Sequence, residues 1–318
     1  MTTDLTVYTQ TAQRFADAFG ESFQVNVPIS KYTSARVGGS AEMMLIAKSA
    51  ADLQKAVELA CAANIRYTII GGGSNILVSD RGVRGLVIFN KAKQVQFRHS
   101  GASVICTAES GMNLSSLARM CISKGLGGLE WAIGVPGTVG GAVVGNSGAH
   151  GGDMNDNLLL ATVWEPGRGV RTYSLEDMQY EYRNSVFKRE QGNKFKLRRV
   201  VLSADLKFKP GSTDVIMARA DEFNEKRKKS QPGGATMGSM FKNPENYYAG
   251  YLIETAGLKG FRCGGASISE KHANFFLNDG TATAEDIRAL IAEAWHTVRD
   301  RFGVEMELEV ELVGDWDY

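Results

Sequence analysis

IIGGGSNILVSDRGVRG, residues 69–85, is the most informative stretch of the sequence, because two isoleucines run directly into three glycines before the chain becomes apolar again. The flanking segments YTIIG (67–71) and GLVIFN (85–90) are short and rich in β-branched residues, which is typical of strands. A glycine run between two strands can adopt positive φ angles, so that successive N–H groups form a concavity for an anion such as a diphosphate. A tight turn that needs glycine for geometry alone is the alternative interpretation.

A second glycine-rich run, GVPGTVGGAVVGNSGAHGG (134–152), makes the turn interpretation less attractive. Its valines and alanines make it too apolar for a solvated linker, so we expect a buried loop whose backbone donors need partners. A large phosphate-bearing ligand is an economical partner for such donors. The sequence has no GxxxxGK[ST] motif and no GxGxxG motif between a strand and a helix, so the P-loop and Rossmann classes are excluded.

The composition is that of an ordinary soluble globular protein of 318 residues, with 43% hydrophobic and 22% charged residues. Lys plus Arg number 36 and Asp plus Glu 35, which argues against a general nucleic-acid or membrane-surface binder. No apolar run reaches the roughly 18–20 residues of a membrane-spanning helix. The N-terminus has no apolar signal-peptide core, so a cytoplasmic location is the simplest expectation.

The cysteine and histidine content predicts no metal site. None of the four cysteines forms a CxxC pair, and there are only four histidines with no HExxH motif. Cys61 and Cys121 fall at apolar helical positions, where free thiols behave as small hydrophobic groups in a reducing compartment.

The pattern of strands and helices predicts an α+β protein with three parts: residues 1–90, 91–210 and 211–318. In the first part, strand 41–47, a helix capped by Ser49 and strands 67–71 and 85–90 form a βαβ-like unit. In the second, a hairpin (94–99 and 103–110), a helix capped by Asn113, strands 158–166 and 169–174 and a long strand 196–209 form a strand-rich unit.

The third part is predicted to begin with helix 216–230 and a short helix at 248–257, with strand-like ASIS (266–269) and ANFFLN (273–278) after them. The clearest helix follows, capped by Thr283 with Asp286 three residues later and ended by Gly303. GVEMELEVELVG (303–314) alternates apolar and acidic residues, which predicts a half-buried strand.

Five segments in this order resemble the UDP-N-acetylenolpyruvoylglucosamine reductase (MurB) family: YTSARVGGSAE (32–42), the two glycine runs, YRNSVFK (182–188), GSMFKNP (238–244) and LEVELVG (308–314). The glycine runs alone are similar to the wider superfamily that binds FAD in a domain of the vanillyl-alcohol-oxidase type. The resemblance therefore implies two α+β FAD-binding subdomains (1–90 and 91–210) and a C-terminal α+β substrate domain (211–318), whose last strand returns toward the active site. The short chain looks like the type II class.

The resemblance also implies a reaction. NADPH reduces tightly but non-covalently bound FAD, and the flavin then gives a hydride to the vinyl carbon of an enolpyruvyl UDP-sugar, forming UDP-N-acetylmuramate for peptidoglycan. The partners implied are the UDP-sugar enolpyruvate and NADPH, with no nucleic acid, no membrane and a monomeric chain. Such chemistry needs a cation for the carboxylate and a proton donor for the adjacent carbon.

Three residues match the catalytic positions of the family. Ser239 matches the proton donor, Arg183 the arginine that stabilises the enolate, and Glu309 a glutamate that polarises the carboxylate in its protonated form. From the residues alone, a turn serine is the commoner interpretation of Ser239, and a surface cation is an alternative interpretation of Arg183. Periodicity places Glu309 only among four glutamates on one strand face, and the motif match alone selects it over Glu307 or Glu311.

The resemblance also implies ligand contacts. Those for the cofactor are Arg36, Gly71, Gly72, Gly73, Ser74, Asn75, Ile76, Gly134, Pro136, Gly137, Gly140, Gly141, Asn146, Gly148 and Ala149. Those for the substrate are Tyr182, Lys229, Asn243 and His272. Because Lys229 belongs to the run KRKK (226–229), the sequence leaves open which residue of that run contacts the substrate. The stretch SQPGGATMGS departs from the family, whose members often have a proline two or three residues before the small residue that precedes the serine; this sequence has Gly, Ala and Thr there.

Two other functions share the glycine runs. An FAD oxidase acting on an alcohol or sugar would turn over with oxygen and lack the combination of YRNS, GSMF and LEVE. A non-catalytic flavin- or nucleotide-binding protein would hold a ligand without turnover.

Overall fold

A computed structural model describes residues 5–190 and 198–316 of the chain. Its contacts divide the chain into two compact units. The first comprises Met1–Asn26, Glu42–Gly72 and Gly85–Glu225, and the second Val27–Ala41, Gly73–Arg84 and Lys226–Tyr318. Each unit is therefore built from segments that are distant in sequence.

The described residues contain nine α-helices: α1 Leu5–Phe19, α2 Ala50–Ala62, α3 Leu114–Ser123, α4 Val139–Gly145, α5 Leu175–Met178, α6 Val186–Glu190, α7 Thr213–Ser230, α8 Ala249–Thr255 and α9 Ala284–Phe302. The strands of the described residues are β1 Phe23–Pro28, β2 Ser40–Ala47, β3 Tyr67–Ile70, β4 Ile76–Val78, β5 Val83–Asn90, β6 Val95–Ser100, β7 Ser103–Glu109, β8 Leu126–Gly127, β9 Gly148–Ala149, β10 Gly152–Asp153, β11 Leu158–Glu165, β12 Gly169–Ser174, β13 Val200–Pro210, β14 Arg262–Cys263, β15 Ala266–Ile268, β16 Phe276–Asn278 and β17 Glu311–Val313. The mixed content agrees with the α+β prediction.

The first unit begins with the predicted βαβ arrangement. The Ser49 side chain accepts a hydrogen bond from the Asp52 N–H at 3.1 Å and so caps α2. Strands β3 and β5 pair in parallel, with Tyr67 opposite Leu86, in a sheet of order β1-β2-β5-β3. The apolar face of α2, including Leu53 and Val57, is buried in the core beside this sheet. The glycine loop therefore follows directly from the end of β3.

The larger sheet of the first unit is antiparallel, with the order β12-β11-β13-β7-β6 and β8 paired to the end of β13. The predicted hairpin β6–β7 is confirmed, and so is the helix that Asn113 caps by accepting from the Ser116 N–H at 2.8 Å. The strand predicted over 196–209 is described from Val200 onward, and Lys196 and Leu197 lie outside the described residues.

One prediction in this region is wrong. The second glycine run does not form a continuous loop, because its apolar centre is helix α4. Val139, Ala142 and Val143 lie on one face at helical spacing and are buried in the core, while Thr138 caps the start of the helix. Asn146, with φ of 43°, ends the helix in a left-handed conformation.

The second unit packs α8 and α9 against the three-stranded sheet β14-β15-β16 and the parallel pair β17–β4. The capping box predicted for α9 is present between Thr283 and Asp286, and Gly303 with φ of 69° ends the helix. Asp80, from the loop after β4, adds a second cap: its carboxylate accepts from the Ala284 and Glu285 N–H groups, each at 3.0 Å.

The long strand predicted over 303–314 is also wrong. Only Glu311–Val313 forms a strand, and before it there is an isolated bridge between Phe241 and Leu308. The predicted apolar face is nevertheless correct, because its five side chains lie in or against the core of the second unit: Val304, Met306, Leu308, Val310 and Leu312. The alternation in the sequence thus predicted correctly which side chains are buried, although most of this segment is not paired as a strand.

All four cysteines are free thiols, and Cys106 and Cys121 are buried. The hydrogen bond with Cys106 and burial raise the pKa of the Cys121 thiol, which disfavours its reactive thiolate form.

Across 5–190 and 198–316, none of the helices combines the length and apolar character that a membrane span requires.

Asn278 joins separate segments of the second unit, and its replacement tests their cooperativity. Its Nδ2 donates to the Ala35 carbonyl at 2.8 Å, and its Oδ1 accepts from the Gly280 and Ala282 N–H groups at 2.7 and 3.0 Å. We expect Asn278→Ala to lower the free energy of unfolding by about 2–4 kcal/mol, because it leaves part-buried backbone groups unsatisfied. Urea unfolding measures this change. The exposed Asn155→Ala is the control, and equal loss in both variants would contradict the role of Asn278.

Candidate functional site

The two glycine runs pack directly against each other within the first unit. A Cβ at Gly71 would lie 2.4 Å from the Oγ1 of Thr138, and a Cβ at Gly72 would lie 2.9 Å from the Cα of Gly137. Such distances leave no room for a side chain, so both glycines are needed for close approach of two backbones. Gly71 and Gly72 therefore lie in direct contact with the residues that begin α4.

The first run leaves backbone donors available. Among the hydrogen bonds of the described residues, none is donated by the N–H groups of Gly72, Gly73 or Ser74. Gly72 is exposed, Ser74 is half-buried, and Gly73 is buried with φ of 61°. N–H groups without acceptors at a positive-φ glycine are the arrangement that binds phosphate oxygens, so this loop fits the pyrophosphate of a dinucleotide such as FAD.

Several donors of the second run are used inside the protein, contrary to the expectation that they need a ligand. The Gly134 N–H donates to Ser115 Oγ at 2.9 Å, and the Gly140 N–H donates to the Ser110 carbonyl at 2.8 Å. The Gly141 N–H is held by Thr138 Oγ1 at 3.4 Å. The run thus serves chiefly as the wall against which the first loop packs, with Pro136 and Gly141 exposed on it.

A cluster around the end of α4 brings together five of the predicted residues. The Arg183 Nη2 donates to the Gly148 carbonyl at 2.6 Å, and its guanidinium carbon lies 5.3 Å from the centre of the Tyr182 ring. Asn146 Nδ2 donates to the Glu181 carbonyl at 3.1 Å. Arg183 has φ of 54°, a left-handed conformation that costs a non-glycine residue free energy and that concentrates at functional sites. Ala149 follows Gly148 in the short strand β9.

In the second unit, Ser239 and Glu309 lie on adjacent extended segments. The Glu309 N–H donates to the carbonyl of Met240, the residue after Ser239, at 2.9 Å. The Glu309 carbonyl accepts from Asn75 Nδ2 at 3.0 Å, which links the glycine loop to the same segment. The structure therefore brings Ser239, Glu309 and Asn75 together, while Arg183 belongs to the first unit. Ile76 continues from Asn75 as the first residue of β4.

The stretch that departs from the family before Ser239 is extended and held by bridges. Ala235 pairs with Asn278, and Ser239 pairs with Phe275. Gly238, with φ of 82°, precedes the serine. Backbone pairing therefore fixes the approach to Ser239 without a proline.

The four glutamates of the terminal segment do not share one environment. Glu305 and Glu307 are exposed, and Glu307 forms an ion pair with Lys242 at 2.5 Å. Glu309 and Glu311 are half-buried. Burial therefore separates these two from the solvated glutamates, which periodicity alone could not do.

A cavity of about 370 Å³ in the second unit is lined by Ser239, Asn243 and His272, three of the predicted residues. Asn243 Oδ1 accepts from the Ala249 N–H at 3.1 Å, and His272 Nδ1 accepts from the Asn274 N–H at 3.2 Å. Burial lowers the pKa of His272, with a smaller effect of Lys259 in the same direction. The neutral imidazole, with its Nδ1 accepting, can present Nε2–H as a donor.

The cavity has further lining residues that the sequence analysis missed, namely Tyr248, Gly250, Tyr251, Glu254, Lys271, Ala273 and Asn274. Asn274 is the most instructive of them. It is buried, its Oδ1 accepts from the Phe241 N–H at 3.0 Å, and its Nδ2 donates to the Phe241 carbonyl at 2.8 Å. This two-way pairing holds the Ser239 segment, and only the asparagine in KHAN could have signalled it.

The residues of the cationic run at the end of α7 differ in burial and in their contacts. Lys229 is exposed, whereas Arg227 is half-buried and burial lowers its pKa. The carbonyl of Lys228 accepts from the Nζ of Lys271, a cavity residue, at 2.6 Å. Arg36 is exposed and has φ of 58°. No group of three or more His, Cys, Asp or Glu side chains suited to a metal occurs within the described ranges.

Comparison with known proteins places these features in context. Residues 230–313 match the family "UDP-N-acetylenolpyruvoylglucosamine reductase, C-terminal domain", and residues 41–172 match "FAD binding domain". The chain is 40% identical over 299 residues to the UDP-N-acetylenolpyruvoylglucosamine reductase of Caldicellulosiruptor bescii, covering 94% of this chain and 93% of that one. It is 40% identical over 291 residues to the same enzyme of Trichormus variabilis, covering 91% and 85%.

A solved structure is also similar. The crystal structure of UDP-N-acetylenolpyruvylglucosamine reductase (MurB) from Thermus caldophilus has a TM-score of 0.76 and 31% identity, and the match covers 92% of this chain and 98% of that chain. The likeness therefore extends over both compact units.

Gly71→Ala tests the packing of the two glycine runs. The new methyl group would meet Thr138 Oγ1, so we expect overpacking to destabilise the protein by about 1–3 kcal/mol and flavin retention to fall. Visible absorbance of the purified protein and urea unfolding measure the two effects. Gly145→Ala is the control, since its Cβ would come no closer than 3.9 Å to another group. Because Thr138 also caps α4, the comparison is a double-mutant cycle: Gly71→Ala should cost less in the Thr138→Ala background than in the wild type, and an equal cost in both would contradict this contact.

His272 should make stability depend on pH. Its folded pKa lies below the usual value of about 6.5, so the unfolded chain binds the proton more readily. Its contribution is fully present above about pH 6.5 and is lost as the pH falls through the folded pKa. We expect His272→Gln to remove this part of the decline in urea-unfolding free energy between about pH 7 and 5, while Tyr251→Phe in the same cavity retains it. Parallel pH curves for wild type and His272→Gln would contradict the prediction.

Proposed function

The chain belongs to the UDP-N-acetylenolpyruvoylglucosamine reductase (MurB) family and is an FAD-dependent oxidoreductase of peptidoglycan precursor synthesis, and from this premise we propose that it reduces UDP-N-acetylglucosamine enolpyruvate to UDP-N-acetylmuramate at the expense of NADPH. The observation that carries the proposal is the backbone bond joining Glu309 to Met240, beside Ser239 and the cavity it lines with Asn243 and His272. This arrangement can place a proton donor and a carboxyl group at one substrate.

We assign cofactor binding to the surface where the two glycine runs meet. The N–H groups of Gly72, Gly73 and Ser74 supply donors for a pyrophosphate without any loss of protein hydrogen bonds. Bound there, FAD would supply the hydride that it has taken from NADPH. The remaining predicted contacts, from Arg36 and Ile76 to Ala149, belong to this proposal.

The protein side chains would handle the proton and the charge. After hydride addition to the methylene carbon of the enolpyruvyl group, the electron pair of the double bond moves toward the carboxylate as an enolate. Ser239 Oγ would give its proton to the adjacent carbon, and Arg183 would stabilise the negative charge. Glu309, half-buried and adjacent to the serine segment, would polarise the carboxylate in its protonated form.

Substrate binding is assigned to Asn243, His272, Tyr182 and a cation of the 226–229 run. Asn243 and His272 line the cavity, and the half-buried Arg227 joins Lys229 as a candidate because Lys228 next to it is bonded to a cavity residue. The neutral imidazole of His272 suits hydrogen bonding to a sugar or phosphate oxygen.

The finer expectations belong to the same proposal. They are preference for NADPH, membership of the type II class, a monomeric cytoplasmic protein, and a functional division into two FAD-binding subdomains (1–90 and 91–210) and a substrate domain (211–318). The short chain and the pairing of β17 with β4 support the type II assignment and the return of the last strand.

Ser239→Ala tests the proposed reaction. The purified protein should be yellow and release FAD on denaturation, and NADPH oxidation without oxygen should require the enolpyruvyl UDP-sugar. In Ser239→Ala, flavin reduction by NADPH should remain nearly intact, while reoxidation by the sugar should fall by about 100-fold or more, because a positioned general acid contributes about that much. Stopped-flow absorbance measures both half-reactions.

Ser267→Ala is the matched control, because Ser267 is a half-buried strand serine of the same unit that does not line the cavity. It should change neither half-reaction. Equal loss of both half-reactions in Ser239→Ala would make Ser239 a structural residue. Rapid turnover with oxygen and no need for NADPH would instead identify an oxidase, and bound flavin without turnover a binding protein.

A further inference from the structure

Arg183 lies in a closed turn of the first unit, residues 181–184, which we call the Arg183 turn. Its ends are Glu181 and Asn184, whose backbone groups bond to each other in both directions, each N–H donating to the other carbonyl at 3.2 Å. Tyr182 and Arg183 are the two central residues. The position of the arginine therefore depends on what holds the two ends of the turn.

The backbone of Arg183 is in a conformation that an arginine rarely adopts by itself. Its φ of 54° is left-handed, and β-turns that need a positive φ at the third residue usually have glycine or asparagine there. A side-chain-bearing residue persists in such a conformation only where the surrounding structure holds it. The bonds beside the turn are thus expected to act on the arginine.

The C-terminal end of α4 provides that support through its carbonyl groups. The last carbonyls of a helix have no partner within the helix. The Tyr180 hydroxyl donates to the Val143 carbonyl at 2.8 Å, and the Ser185 hydroxyl donates to the Val144 carbonyl at 2.5 Å. Because Tyr180 directly precedes the Arg183 turn and Ser185 directly follows it, two consecutive carbonyls of α4 hold its two ends.

Both side chains are in surroundings that favour these bonds. Ser185 is 0% exposed, and its Oγ also accepts from the Lys188 N–H at 3.4 Å in α6. Tyr180 packs against the core of the first unit. Burial raises the pKa of the Tyr180 hydroxyl, with a smaller effect of Asp153 in the same direction, so the hydroxyl keeps its proton and remains a donor.

We propose that Tyr180 and Ser185 are positioning residues, which hold Arg183 where the enolate forms. This inference rests on the proposed function, in which Arg183 stabilises the enolate. The Arg183 side chain donates to the carbonyl of Gly148, three residues after the end of α4, at 2.6 Å, so its backbone and its guanidinium are both held by the same region. Stabilisation of a developing charge depends on such a fixed arrangement.

Tyr180→Phe and Ser185→Ala each remove one hydroxyl from the flavin-loaded full chain, and anaerobic stopped-flow absorbance measures both half-reactions. Flavin retention and flavin reduction by NADPH should be nearly unchanged. The limiting rate of reoxidation by the enolpyruvyl UDP-sugar should fall by about 10- to 100-fold, because a displacement of about 1 Å has effects of that size. The sugar concentration at half-maximal rate should change by less than about twofold, since the lost support acts in the transition state.

Tyr8→Phe is the matched control, because Tyr8 is also a half-buried tyrosine of the first unit whose hydroxyl donates to a backbone carbonyl, that of Glu42 at 3.2 Å. It should change neither half-reaction. Equal loss of both half-reactions in Tyr180→Phe or Ser185→Ala would assign these bonds to the general stability of the first unit and overturn the inference.

A double-mutant cycle with Arg183→Ala separates positioning from a merely structural role. Because the two bonds act through Arg183, Tyr180→Phe should slow reoxidation in the wild type and add nothing in the Arg183→Ala background. Equal slowing in both backgrounds would overturn the inference, and so would normal reoxidation in Tyr180→Phe and Ser185→Ala while Arg183→Ala is slow. Normal reoxidation in Arg183→Ala itself would overturn the proposed role of Arg183 and the inference with it.

Discussion

Close contact between two backbones is the constraint on which the cofactor surface depends. Gly71 and Gly72 approach Thr138 and Gly137 so closely that a single methyl group would separate the two runs. The contact also explains why the two runs use their backbone N–H groups differently. Several donors of the second run bond to Ser110, to Ser115 and within the capped helix α4, and the run forms a wall. The first run, seated on that wall, can keep its N–H groups for a ligand.

The second unit solves a different problem, which is to hold the side chains that we propose as catalytic on short, irregular segments. Neither Ser239 nor Glu309 lies in a regular strand. Isolated β-bridges and the side chain of Asn274 hold these segments in place of continuous strand pairing. Asn274 pairs with both backbone groups of Phe241, and the Met240 carbonyl receives the Glu309 N–H. Because each of these bonds joins segments far apart in sequence, the positions of the two side chains depend on the cooperative folding of the whole unit.

Local patterns in the sequence determined most of the elements and the family. The caps of Ser49, Asn113 and Thr283 depend on residues three apart, and helical or alternating periodicity gave the buried faces correctly, even in the terminal segment that is mostly not a strand. Tertiary structure alone decided which glutamates are half-buried, which donors of the glycine runs are already satisfied, and that Asn274 holds the Ser239 segment. The physical reason is that burial and many of the hydrogen-bond partners at these sites come from other segments of the chain, such as Ser115 for Gly134 with a separation of 19 and Asn274 for Phe241 with a separation of 33, and a local pattern contains no information about them.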